Sequence, residues 1–275
     1  MKDSIWVVNA FTDDGIKGNP AGVCFVEEFP DGAKMLEVSA KLGFSNSAFV
    51  KTLGPNNFQI RWFTPNSEAP ICGHATIAAS HILFDESFVD SSTSISFESK
   101  SGELSVKKNG DWYALNFPAY HKLPQAMIDD QLLKIVGHIS PIFYGIYEKG
   151  LFMEFSEAQV RNMKPDLEEL KKVDCRALTI TARSENNEYD FISRYFAPRE
   201  GIDEDPVCAS AHCALIPYWS NKLQKSQLTA YQASARGGLL KCENNGERVI
   251  ISGKAKTVFK GSLFSSELTN LKAAA

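Results

Sequence analysis

No two of the six cysteines are spaced as CxxC; they stand at Cys24, Cys72, Cys175, Cys208, Cys213 and Cys242. The closest spacing, Cys208 to Cys213, has no second pair to complete a zinc cage, so no metal site is expected. No apolar run comes near the roughly 20 residues that cross a bilayer, so no membrane span is expected. No dense block of Lys and Arg occurs, and 33 acidic against 29 basic residues leave a formal net charge of −4. Neither a nucleic acid nor an anionic membrane surface finds an electrostatic footprint on such a chain. Residues 1–5 lack the pattern of a secretory signal and lead into a strand-like segment. A cytoplasmic location is therefore expected, with free thiols in place of a disulfide framework. What is present is ordinary for a globular protein: 275 residues, 44% apolar and 23% charged. That length allows one large domain or two modest ones.

Short runs of β-branched and aromatic residues bounded by Gly, Pro, Asn and Ser predict strands over 5–11, 21–26, 58–63, 94–98, 112–117, 178–182, 191–197, 248–252 and 257–263. Helical spacing of apolar residues predicts helices over 31–42, 75–84, 127–137, 165–173 and 211–221. Two of these, 75–84 and 211–221, are apolar on nearly every side and should be buried. Pro217 lies inside the second and should kink or shorten it. The stretch 118–124 is a plausible crossing between two halves.

An internal echo supports that division. Arg61-Trp62-Phe63-Thr64-Pro65 leads through Glu68, Pro70 and Ile71 to Cys72-Gly73-His74 and an apolar helix. Arg194-Tyr195-Phe196-Ala197-Pro198 leads through Glu204, Asp205, Pro206 and Val207 to Cys208-Ala209-Ser210 and a second apolar helix. Two similar domains are expected, with a pocket at their interface.

Each of these cysteines stands where a loop enters a buried helix. The N–H groups of a first helical turn have no intrahelical acceptor, and the macrodipole is positive there. Two expectations follow. A carboxylate can be held by the N–H groups around Gly73, His74, Ala209, Ser210 and Ala211. The thiols of Cys72 and Cys208 should lean towards thiolate. One thiolate could take a proton from carbon and the other thiol return one. Against this stands the common role of a free cysteine as a small packed hydrophobe. His74 is placed to exchange hydrogen bonds with a substrate. His212 is expected to cap or pack. Glu204 and Asp205 could include a general acid or base, or could complement the helix N-terminus. Arg236 could serve an anion or simply a turn.

The motifs Val8-Asn9-Ala10-Phe11, Gly18-Asn19-Pro20, Phe63-Thr64-Pro65, Cys72-Gly73-His74-Ala75-Thr76, residues 201–207, Ser210-Ala211-His212 and Ser252-Gly253 together resemble the phenazine-biosynthesis PhzF-like isomerase family. That family is similar in fold to diaminopimelate epimerase. The resemblance implies an α+β fold of two pseudo-symmetric domains, each a β-barrel-like sheet around a central helix. Residues 1–116, completed by a C-terminal strand within 254–275, would form one domain, and 117–253 the other. It further implies an active site in the interdomain cleft, a small carboxylate substrate, no cofactor and a homodimer. The family's proton-carrying Glu falls at Asn46, in Ser45-Asn46-Ser47-Ala48-Phe49, and Asn cannot exchange a proton near neutral pH. Asn9 stands where the family usually has Asp. His74 and Asp205 match residues that family members use on substrate, while Cys72 and Cys208 fall where the epimerases carry their cysteines.

Three functions remain open on these residues. One is an isomerase, working either through Cys72 and Cys208 or through Asp205 and His74 with Asn46 orienting the substrate. Another is a catalytically impaired relative that binds a metabolite or a protein. The third, a thiol-dependent hydrolase, lacks a clear Cys-His-Asp order.

Overall fold

The computed structural model describes residues 4–148 and 150–262. Its first stretch runs β1 (Ser4–Thr12), β2 (Asn19–Val26), α1 (Gly32–Leu42), β3 (Asn46–Gly54), β4 (Asn57–Phe63), β5 (Glu68–Ala69) and α2 (Gly73–Asp85). There follow β6 (Ser94–Ser99), β7 (Gly102–Asn109), β8 (Trp112–Pro118), α3 (Asp130–Ile135), β9 (Phe143–Tyr147) and β10 (Gly150–Glu154). Next come α4 (Glu157–Asn162), α5 (Leu167–Lys172), β11 (Ala177–Arg183), β12 (Phe191–Ala197) and β13 (Ile202–Asp205). The chain closes with α6 (Ala209–Leu223), β14 (Gln227–Gln232), β15 (Gly238–Asn245) and β16 (Arg248–Ser262). Residue 263 of the expected last strand, and 263–275 of the expected C-terminal completion, lie outside the described residues.

The chain divides into two compact units. Unit one holds described residues 4–12, 19–116 and 252–262; unit two holds 13–18, 117–148 and 150–251.

In unit one the strand order is β1-β2-β3-β4-β6-β7-β8-β16, and β16 returns to pair with β1 in antiparallel register, Ile5 opposite Gly261 and Asn9 opposite Lys256. The sheet is thereby a closed barrel, which removes its edges. Its pairs β2–β3 and β4–β6 are parallel; those of β1–β2, β3–β4, β6–β7 and β7–β8 are antiparallel. Helix α2 packs on β1, β2, β3 and β7, and every residue from Gly73 to Phe84 is buried. A helix apolar all round finds cover only inside such a sheet. Helix α1 has one apolar stripe, and Met35 and Val38 pack on the other face of the sheet against Ile5, Cys24, Phe49 and Phe63. Phe11 interrupts β1 with φ 59° at a register shift, and its ring lies where Gly253 would carry a Cβ, 2.3 Å from that position. Gly253 is thus the residue that lets a buried aromatic seal this corner of the barrel.

Unit two repeats the pattern. Its order is β15-β14-β12-β11-β10-β9, with β12–β14 and β10–β11 parallel and β9–β10, β11–β12 and β14–β15 antiparallel. Helix α6 packs on β14 and β15, and Trp219 reaches Phe191 (ring centroids 5.8 Å, 11° between planes) and donates its Nε1–H to Thr181. Helices α3, α4 and α5 cover the sheet's other face through Leu132, Ile135, Val160 and Leu170.

One local expectation is corrected, one helix was not foreseen, and one keeps its length. The helix predicted over 127–137 spans only α3: Asp129 caps it by accepting the Leu132 N–H (2.8 Å), and Gly137 ends it in the left-handed region. The helix α4, short and capped by a Ser156–Gln159 box, carries too little periodicity to be read from sequence. Pro217 does not shorten its helix, since α6 runs on to Leu223. A proline leaves the carbonyl four residues earlier without its helical donor. Here that carbonyl, on Cys213, accepts the N–H of Tyr120 (2.8 Å) instead.

Candidate active site

The internal echo has a structural cause. In unit one Arg61 on β4 grips Glu68 on β5 with two parallel bonds (Nε–Oε1 2.8 Å, Nη2–Oε2 2.9 Å), and its guanidinium lies over Phe63 (5.2 Å). In unit two Arg194 on β12 grips Glu204 on β13 in the same way (2.7 and 2.9 Å) and lies over Phe196 (4.9 Å). Each bidentate pair folds the Pro-containing loop back on its strand and aims the chain into the central helix. The three extra residues of the second copy are absorbed by a 3-10 turn at Pro198–Glu200. Glu204 is therefore held in a structural ion pair. In both units the residue at the helix N-cap is the cysteine, Cys72 for α2 and Cys208 for α6, and neither side chain caps its own helix.

At the start of α2 four side chains form a chain of hydrogen bonds. Cys72 Sγ lies 3.5 Å from His74 Nδ1, His74 Nε2 lies 3.3 Å from Ser45 Oγ, and Ser45 donates to Asn19 Oδ1 (3.2 Å). Burial pushes the His74 imidazole down to about 3, so it is neutral near pH 7. With the Ser45 proton given to Asn19, Ser45 accepts from Nε2–H, and the Cys72 S–H faces the Nδ1 lone pair. Asn46 follows Ser45 at the head of β3. It is 7% exposed, and its Oδ1 is buried with no partner among the described residues. Gly73 and His74 form the first residues of the helix, with N–H groups beyond the reach of intrahelical acceptors.

At the start of α6 the loop is pinned from one segment. Gln232, 1% exposed, accepts the Cys208 N–H at Oε1 (2.9 Å) and donates from Nε2 to the Asp205 carbonyl (2.7 Å). Ser234 donates to the Pro206 carbonyl (2.8 Å). Gly238 lies so close to Val207 that a Cβ there would fall 2.1 Å from Cγ2. The result is a buried Asp205 beside a buried Cys208, whose Sγ lies 3.3 Å from Ser210 Oγ. Ala209, Ser210 and Ala211 open the helix.

The thiolate expectation is corrected at Cys208. Burial, followed by the Asp205 charge, pushes its thiol up to about 12; the Ser210 hydroxyl, the Ala211 N–H and Arg176 pull the other way and lose. The full desolvation of a thiolate outweighs the dipole of one helix end. All six cysteines are buried and free. His212 packs as expected, its Nδ1 2.8 Å from the Cys208 carbonyl, and burial brings it down to about 4. Arg236 serves a turn: it donates to the Gly18 carbonyl (2.7 Å) and the Lys17 carbonyl (3.2 Å). Among the described residues no three His, Cys, Asp or Glu side chains come together to hold a metal ion.

Sequence reasoning missed Ser45, Asn19 and Gln232. Ser45 and Asn19 sat in quoted motifs, and a polar residue beside Asn46 was the available signal. Gln232 continues the buried alternation of β14 after Leu228 and Ala230, where a buried amide in a strand marks a loop in need of partners.

Two sheets built alike, one around a buried α2 and the other around a buried α6, each with cysteine at the N-cap, define a diaminopimelate-epimerase-like fold. The chain belongs to the phenazine biosynthesis-like family, PhzC-PhzF, whose model matches residues 8–261. A protein named as an uncharacterized isomerase in Halalkalibacterium halodurans is 39% identical over 264 residues, 96% of this chain and 99% of that one. The crystal structure of a phenazine biosynthesis protein of the PhzF family from Enterococcus faecalis superposes with a TM-score of 0.87 at 37% identity, covering 95% and 98% of the two chains. A hydroxyproline epimerase from Agrobacterium vitis shares the fold at 10% identity, with a TM-score of 0.60 over 94% and 91%.

Proposed function

We propose that this protein is a cofactor-independent isomerase that moves a proton at carbon in a small carboxylate-bearing metabolite. The observation that carries this is the buried Asp205 carboxylate set beside a protonated Cys208 thiol where the loop meets α6. Such a pair offers a proton acceptor and a proton donor in one water-poor place. Relatives named as isomerases support the reaction class. Asp205 takes the proton, and neutral His74, with Cys72 behind it, holds and polarises the substrate. Asn46 orients it by hydrogen bonding alone, and the N–H groups of Gly73, His74, Ala209, Ser210 and Ala211 receive its carboxylate. The protein is further proposed to act in the cytoplasm as a homodimer, which light scattering of the purified chain tests.

Incubation in D₂O with chiral amino and hydroxy acids, read by NMR, tests the reaction. Exchange at one carbon is expected in the parent protein, with a loss of at least about 100-fold in Asp205→Asn, the usual scale of a missing acid–base group. If Asp205→Asn keeps its rate while Cys72→Ala and Cys208→Ala both lose it, the two-thiol route replaces this one. A second reading rests on Asn46, whose buried Oδ1 has no partner among the described residues and whose side chain carries no exchangeable proton at neutral pH. On that reading the protein binds a metabolite without turnover. Tight binding with no exchange, together with exchange gained in Asn46→Glu, would establish it.

A further inference from the structure

One guanidinium in unit two is placed as a ligand-binding group is placed. Arg176 precedes β11, is partly buried, and lies within electrostatic reach of Tyr195, Cys208, Tyr147 and Glu200. It lines a cavity of about 20 Å³ together with Tyr120, Tyr147, Tyr195, Ser210, Gly150 and, at the exposed side, Glu148. Tyr195 is 7% exposed, and burial pushes its phenol well up from the ordinary value, so it keeps its proton and can donate into the cavity. Tyr147 is tied to Thr179 (2.9 Å) and so stands fixed in the wall. Ser210 joins this cavity to Cys208 through its 3.3 Å contact.

Strand register gives the cavity a counterpart in unit one. Ser47 pairs with Phe63 and Phe49 with Arg61; Leu178 pairs with Phe196 and Ile180 with Arg194. Counting back along each strand, Ser45 and Arg176 hold equivalent positions. His74 and Ser210 are likewise equivalent, each two residues past its N-cap cysteine. In unit one Ser45 and His74 close the position with a hydrogen bond. In unit two the same position holds a cation and a phenol around a void. A partly buried guanidinium and a phenol that face one small cavity offer donors that an anionic ligand can take up.

We propose that this cavity is a carboxylate-binding subsite, with Arg176 and the Tyr195 hydroxyl donating to the ligand's oxygens and Ser210 bordering it. A void of this size holds roughly one to two water-sized groups, which suits the two oxygens of a carboxylate head and leaves the rest of the ligand outside. Guanidinium and carboxylate match as planar, bidentate partners. The subsite is argued from unit two alone and stands whether or not the chain is an isomerase. If the proposed reaction holds, the occupant is an anionic group of its substrate, seated next to Cys208.

The test reads binding, with no turnover involved. The intact protein is titrated with sodium acetate at constant ionic strength, with sodium chloride as the control, and its arginine Nε–Hε NMR signals are followed. The Arg176 signal, assigned by its loss in Arg176→Gln, is expected to move saturably with acetate and not with chloride. Tyr195→Phe, which removes one oxygen and keeps the ring, is expected to raise the half-saturating acetate at least threefold. A signal that stays still, that moves equally with chloride, or that titrates identically in Tyr195→Phe overturns the assignment.

Discussion

Cys208, His74 and His212 are governed by burial. A helix N-terminus favours a thiolate and an exposed imidazole favours its cation, yet complete desolvation reverses both preferences. His74 and His212 are held neutral, down to about 3 and about 4 from an ordinary 6.5. Between those values and 6.5 the unfolded chain binds protons that the folded chain refuses. Stability therefore rises with pH across that window, and it is lost as pH falls through 6.5 towards 4. Each histidine contributes a slope of up to about 1.4 kcal/mol per pH unit. Urea denaturation from pH 7 to pH 4.5 is expected to show this decline. His212→Asn, whose amide can still donate to the Cys208 carbonyl, is expected to show a shallower one by up to that amount. An unchanged slope would mean that His212 does not titrate on unfolding in this range.

Elements explain how single residues come to matter at a distance. The loop before α6 is shaped by β14 and the turn after it: Gln232 and Ser234 hold its backbone, and Gly238 makes room for Val207. Gly238→Ala is expected to destabilise the protein by about 1–3 kcal/mol, the scale of overpacking a close contact. It is also expected to slow any Asp205-dependent exchange, because Val207 is followed directly by Cys208. Thermal unfolding and the D₂O assay on the same variant check the two effects together. At this scale much was legible. The two buried helices fall where runs apolar on all sides predict them, and Asp31 caps α1 where its periodicity begins. What stayed hidden was short or repaired from outside. The strand β5 has two residues, α4 has six, and the proline in α6 is accommodated by Tyr120, far off in sequence.

For the molecule as a whole, β16 has the widest consequence, since its residues beyond 251 belong to unit one while those before belong to unit two. Without that strand β1 and β8 become open edges, and an opened sheet loses the pairing that protects its amides. A chain ending at residue 251 is expected to exchange the amides of β1 and β8 rapidly, while β11 and β12 keep their protection; hydrogen-exchange mass spectrometry checks this. The sequence by itself determined the local chemistry: the cysteine–helix junctions, their repetition, the family motifs and the substitution of Asn46, all of which depend on neighbours along the chain. Only the tertiary structure decided that Cys208 stays a thiol, that Glu204 is consumed by Arg194, and that Arg176 and Tyr195 share a cavity with Ser210. Arg176 could not be matched to Ser45 by counting, because β3 and β4 are joined by a tight turn while β11 and β12 are joined across residues 184–190. Cross-strand register and burial set those outcomes, and both arise between residues that the sequence places far apart.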